Sequence, residues 1–227
     1  LKLSNLWKKT ECDQFSSEFL TDFEENRQIG QNDSYICELI RDDSVEDFIT
    51  YVNKNTIPLE SKIKSSIFET NHFLIKNQPN LIEYSAFFGS IQIFNYLLIN
   101  KVELTPSLWL YAIHGSSAEI IFILEENNIL PKDTSFIKCF KESIKCHHND
   151  IANYINQNFL IEQNIKEVFF DTIHYHNFFF FPEEIDQKPI FFYACEYDCL
   201  EIVKYFLNNK KIDINDTIIV NVDEIIL

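Results

Sequence analysis

Four sets of residues in this chain repeat one spacing, and that spacing limits the possible folds more than any other feature of the sequence. Ser85, Gly89 and Ile93 stand at offsets 0, 4 and 8 and lead into Phe94, Leu97 and Leu98. Ala112, Ser116 and Ile120 lead into Ile121, Ile123 and Leu124. Ser143, His147 and Ile151 lead into Tyr154 and Ile155, and Ala194, Asp198 and Ile202 lead into Val203, Phe206 and Leu207. Each set begins with a small residue, breaks at a polar residue or glycine, and resumes with an aliphatic one. A small residue lets one helix approach another closely, the break lets the chain turn, and the apolar run that follows has helical spacing. A weaker fifth unit, Ile40, Ser44 and Phe48 leading into Ile49 and Val52, precedes these. The pattern describes a succession of short helix pairs.

The composition agrees. Among 227 residues there are 22 Phe and 10 Tyr but only 3 Gly, and 46% are hydrophobic. So few glycines leave little material for the frequent tight turns of a many-stranded sandwich or barrel. Helix pairs joined by polar loops need fewer of them. The anchors Ser85, Ala112, Ser143 and Ala194 lie 27, 31 and 51 residues apart. The long last interval predicts an extended second helix from about Ile161 to His176, then a loop through Phe181-Pro182-Glu183-Glu184. Residues 1–33 fit no unit. The spacing of Phe15, Phe19 and Phe23 predicts a short amphipathic helix there.

At Pro189 to Asp216 the residues resemble the ankyrin repeat. Ala194-Cys195 match its Ala pair, Glu201-Ile202-Val203 its Glu-Ile-Val core, and Phe206-Leu207 its leucine pair. Ile212-Asp213-Ile214-Asn215 resemble its Ala-Asp-Val-Asn loop. The Thr-Pro-Leu-His signature is replaced by Pro189-Ile190-Phe191-Phe192, and the Gly-His pair by Asp198-Cys199. Repeats eroded in this way are similar to those of ankyrin proteins in protists, where they adjoin an uncharacterised helical domain. The stretch from Ser34 to Ile129 resembles that domain, notably Ile40 to Val52 and the Asn-Lys-Asn-Thr-Ile-Pro that follows. The ankyrin period is roughly 33 residues, near two of the three intervals. The resemblance implies an all-α, ankyrin-like helical-repeat solenoid with irregular repeats. Its expected divisions are an N-terminal helical or truncated segment at 1–33, a degenerate ankyrin-like helical domain at 34–130, and ankyrin repeats at 131–227, best matched at 188–216. The apolar tail, Ile218 to Leu227, is expected to begin a further repeat or to cover the last one. From leucine at position 1 and the absence of Met, the chain is expected to be a piece of a longer one.

The function implied is a non-catalytic protein–protein interaction module, a scaffold or adaptor. In ankyrin-like stacks, partners meet the loop tips and the exposed face of the inner helices. By alignment these are Asp186, Lys188, Glu196 and Tyr197 in the last repeat, with His114, Phe87 and Phe88 earlier. The alternatives are a structural spacer or regulatory segment of a longer chain, and a Cys/His metalloprotein or enzyme. A formal net charge of −16 repels nucleic acid and anionic lipid. Arginine, the residue suited to bidentate phosphate contacts, occurs only at Arg27 and Arg41. No apolar run approaches the ~20 residues that span a bilayer. The six cysteines, Cys12, Cys37, Cys139, Cys146, Cys195 and Cys199, read as reduced thiols of a cytoplasmic or nuclear protein.

Cys139 with Cys146, His147 and His148 is the sharpest metal-like cluster. Its cysteines are spaced more widely than the usual ligand pairs, so packing is the expected role and no metal or other cofactor is assigned. Cys195 and Cys199 occupy repeat positions, and His174 and His176 do not share a helical face. No signature of a nucleophilic site surrounds any cysteine. Gly30, Gly89 and Gly115 are isolated, so no phosphate loop exists. The adjacent pairs Glu24-Glu25, Asp42-Asp43, Glu125-Glu126 and Glu183-Glu184 do not face one another on a helix and are expected at the surface.

Overall fold

The computed structural model describes residues 17–132, 135–160, 165–180 and 187–208, with side chains for all of these except 17–22, 165–169 and 187–189. The chain divides into two compact units, Leu1–Gly115 and Ser116–Leu227. The first holds α1 (Ser17–Ile29), α2 (Tyr35–Arg41), α3 (Val45–Lys54), α4 (His72–Asn77), α5 (Leu81–Phe88), α6 (Ile91–Ile99) and α7 (Leu108–His114). The second holds α8 (Ala118–Glu126), α9 (Ile137–Lys145), α10 (Asn149–Phe159), α11 (Ile165–His174), α12 (Gln187–Glu196) and α13 (Leu200–Asn208), with a 3₁₀ turn at Phe178–Phe180. The fold is all-α, an ankyrin-like helical repeat, with irregular units. The loop expected at Phe181 to Glu184 and the apolar tail from Ile218 lie outside the described residues.

Most of these helices are two or three turns long, too short to be stable alone in water. They persist because each buries one side. In the first unit α2 packs on α5 and α5 on α7, while their second helices α3 and α6 pack together. Phe48, Phe94, Leu97, Tyr84 and Trp109 are all but sealed from solvent. In the second unit α9 packs on α11 and α11 on α12, and α10 and α13 each lie against the helix before them. Phe140, Ile144, Ile155, Ile173 and Ala194 fill that core.

The offset of four has a backbone cause. Ser90 donates its N–H to the Ser85 carbonyl and Gly89 donates to that of Ala86, while Gly89 takes φ 68°. This is the Schellman ending, in which a left-handed residue stands four positions after the carbonyl that accepts the far bond. His148 N–H to Ser143 with His147 at φ 59°, and Cys199 N–H to Ala194 with Asp198 at φ 55°, repeat it. The small anchor and the polar break are thus the two ends of one helix-terminating motif. The second helices α3, α6 and α8 end in the same way, with Thr56, Lys101 and Asn128 left-handed and Ile57, Val102 and Ile129 bonded back.

Two expectations are corrected by this geometry. In the fifth unit the bond runs from Ser44 N–H to Leu39, and Asp43 is the left-handed residue at φ 51°. The unit is anchored at Leu39, one residue before the Ile40 expected. The long interval between Ser143 and Ala194 hides another repeat. Asn177 donates its N–H to Thr172, and His176 is left-handed at φ 53°. Helix α11 is therefore the first helix of a pair, anchored at the fully buried Thr172, and its second element has shrunk to the 3₁₀ turn at Phe178–Phe180. Residues 161–164, where an extended helix was expected to begin, are not described. In the first unit the spacing is stretched by an insertion. The chain from Asn55 to Asn80 makes an antiparallel bridge between Lys62 and Asn80 and carries α4.

Successive repeats are also tied by one recurring hydrogen bond. At three of the breaks the residue that follows reaches the carbonyl just after the preceding anchor: Ser90 Oγ to Ile40 O, Asn177 Nδ2 to Ile144 O, and Cys199 Sγ to Ile173 O. Helix α1, predicted from Phe15, Phe19 and Phe23, is present as Ser17–Ile29; its Phe23 ring lies 5.3 Å from that of Phe68.

Candidate protein-interaction surface

In the first unit an aromatic cluster forms where the C-terminal ends of α5 and α7 meet α4. The His114 ring lies 4.2 Å from Phe73 and 5.0 Å from Phe87, near-parallel to the latter at 25°. Phe73 and Phe87 are stacked at 6.0 Å, and Tyr111 meets Phe73 edge-on at 5.0 Å. Phe88 turns to the buried Tyr84 at 4.8 Å. His114, Phe87 and Phe88 are half-buried, so each offers part of a ring to solvent while the rest packs.

Gly115 makes this meeting possible. A Cβ there would land on the Ala86 carbonyl and crowd the Phe87 carbonyl at 3.1 Å. Only glycine lets the end of α7 lie so close to the end of α5. At the other end of the same helices Glu83 closes a capping box with Asn80 and accepts a hydrogen bond from Ser107 Oγ at 2.6 Å. Helices α5 and α7 are therefore held at both ends. Burial first, then the Glu83 charge, pushes the Tyr111 hydroxyl well above the usual phenol range, so it stays neutral.

In the second unit the corresponding ends belong to α11 and α12. Tyr197 meets His174 edge-on at 4.5 Å and stacks on Tyr193 at 6.3 Å, while Tyr193 lies 4.2 Å from Phe170. Glu196 and His174 are exposed, and Tyr197 is half-buried. Of the residues singled out in the sequence, Asp186 lies outside the described residues and Lys188 has only its backbone described, on α12. Glu196 and Tyr197 are neighbours in the sequence itself, whereas in the other unit the structure brings His114 to Phe87.

Sequence reasoning missed Phe73, His174 and Tyr193. Phe73 sits on the inserted α4, outside the repeat pattern. His174 belongs to the repeat hidden in the long interval, whose only signal was the Thr172, His176 spacing.

The Cys/His cluster has a different character. Cys139 is buried on α9, and burial with the Glu142 charge pushes its thiol up to about 12. Cys146 caps the same helix and is pushed up to about 11 by burial first, then by Glu142. Both shifts oppose the thiolate that a metal ligand or nucleophile requires. His147 supplies the left-handed turn and His148 the N-cap of α10. Cys199 is buried, with Sγ 3.5 Å from His176 Nδ1, and Cys195 is exposed on α12.

No helix among the described residues is long and apolar enough to cross a membrane. A family model described as the ankyrin repeat matches residues 186–216, which include α12, the turn at Asp198 and α13. No curated protein and no solved structure matches the chain.

Proposed function

We propose that this chain is a non-catalytic protein-recognition module, a scaffold or adaptor, that meets its partner with the ends of its first helices. The observation that carries the reading is the matched ankyrin repeat, a type of unit that mediates protein interactions. Its first helix, α12, presents exposed Glu196 beside Tyr197. Tyrosine, phenylalanine and histidine held against one another are pre-ordered, so little side-chain entropy is lost when a partner covers them. In this reading Glu196 and Tyr197, with Asp186 and Lys188, form the contact in the second unit. His114, Phe87 and Phe88, with Phe73 beside them, form the contact in the first. An exposed free thiol at Cys195 fits a reducing compartment, cytoplasm or nucleus.

The test is affinity capture from a lysate with the chain as bait, compared with the Glu196→Ala/Tyr197→Ala variant. A specific protein retained by the natural chain and lost by the variant supports the reading. No retained protein favours a spacer, and equal retention by both moves the contact elsewhere.

A further inference from the structure

The second unit carries a groove on different helices, between α8 and α10, with a volume of about 300 Å³. Its floor is Ile121, Ile151 and Ala118, and its walls are Phe122 and Tyr154. Phe122 is 58% exposed and Tyr154 39%, although both are large and apolar over most of their surface. Two carboxylates, Glu125 and Asp150, line the same groove. Helix α8 adds Glu119 and Glu126, and neither α8 nor α10 contains a lysine or arginine.

Glu125 is the informative residue. Tyr154 donates its hydroxyl to Glu125 Oε2 at 2.7 Å. The other oxygen, Oε1, is buried and has no hydrogen-bond partner. A buried carboxylate oxygen without a partner is costly. Glu125 also lies in the last turn of α8, the negative end of its dipole, where a carboxylate is disfavoured and a cation favoured. One positive group in the groove, close to the carboxylate though not bonded to its sealed oxygen, would offset that charge in both respects. The groove suits the rest of such a side chain, since aliphatic walls take a methylene stem and the Phe122 and Tyr154 rings attract a cation.

From this charge complementarity we propose that the α8/α10 groove docks a lysine or arginine side chain presented by a basic, apolar segment of a protein partner. This surface does not depend on the first-helix contact. An anionic lipid or a second copy of this chain, itself at −16, carries the wrong charge for it.

The test uses the full chain and a fluorescent amphipathic peptide built only of leucine and lysine, with a leucine/glutamate peptide as control, at about physiological salt. Anisotropy is expected to show saturable binding of the lysine peptide and none of the control. Glu125→Gln is expected to weaken binding about tenfold and Phe122→Ala about fivefold, as desolvated anchors do. Glu24→Gln, the same charge change on α1, is expected to leave binding within about twofold. Tyr197→Ala is expected to leave it unchanged, so failure here is separate from failure of the first-helix reading. Circular dichroism confirms that each variant folds. The proposal is overturned if no binding occurs, or if Glu24→Gln loses as much as Glu125→Gln, which would mean undirected attraction to an acidic chain. It is also overturned if only Tyr197→Ala abolishes binding, or if sedimentation shows the natural chain pairing through this groove.

Discussion

At the scale of the residue, backbone conformation and side chain disagree at several helix ends. The left-handed region costs a residue with a Cβ about 1–2 kcal/mol, yet of the residues that close these helices only Gly30 and Gly89 are left-handed glycines. Thr56 is the most strained by chemistry, since it is β-branched and sits at φ 52°. It is exposed, in the turn that follows α3. Thr56→Gly is therefore expected to stabilise the first unit by about 0.5–1 kcal/mol, the relief of strain exceeding the added freedom of the unfolded chain. Gly115→Ala is expected to act in the opposite direction. Its new methyl group meets backbone atoms, which cannot rotate away, and overpacking of this kind costs about 1–3 kcal/mol. Urea titrations of both variants check the pair. A gain on Gly115→Ala would mean that α7 does not press on α5 as described.

At the scale of the element, a repeat is closed twice, first on itself and then on its neighbour. The Schellman bond ends the helix, and at Ser90, Asn177 and Cys199 the side chain just after it reaches the preceding repeat. Asn177 shows this most fully: its Nδ2 donates to Ile144 O and to Asn149 Oδ1, and it is buried. Asn100 makes a bond of similar length, 2.8 Å, to Tyr96 O within its own helix, in solvent. Asn177→Ala is expected to cost about 1–3 kcal/mol, since it leaves buried partners unpaired, and Asn100→Ala under about 0.5 kcal/mol. Chemical denaturation of both variants makes the comparison. Equal effects would show that the contact between repeats contributes nothing beyond a local bond. The hidden repeat at Thr172 was legible in principle, because Thr172 and His176 obey the same spacing. It escaped notice because its second element has lost the apolar run by which the other units were recognised.

At the scale of the whole molecule, buried acids set how the fold responds to base. Cys139 is almost fully buried and its thiol is pushed up to about 12, while Tyr84 and Tyr111 are raised by burial in the other unit. A thiol in the unfolded chain ionises at about 8.5. Between these values the folded state binds more protons than the unfolded one. Stability is therefore full below about pH 8.5 and is lost as the pH rises toward 12, at up to ~1.4 kcal/mol per pH unit for Cys139 alone. Urea midpoints measured from pH 7 to 11 are expected to fall above pH 9, and less steeply in Cys139→Ala. A midpoint that is flat to pH 11 would contradict the burial of these groups.

Local chemistry was readable from the sequence because it is local. Helix periodicity, small anchors and polar breaks sit within eight residues of one another, so the all-α helical repeat and the ends of α5, α9 and α12 could be located without coordinates. The Ala194 to Asn215 segment carried its resemblance in the same short-range way. Packing decided the rest. Whether Leu39 or Ile40 anchors the first pair depends on which carbonyl Ser44 reaches, and a one-residue shift leaves the apolar pattern almost unchanged. Phe73 joins His114 and Phe87 only because an insertion returns the chain beside α5. Glu125 reads as one of many surface acids until Tyr154, twenty-nine positions later, closes over it. Contacts made across tens of residues leave no periodic trace, and these are the contacts that build the surfaces on which a partner would act.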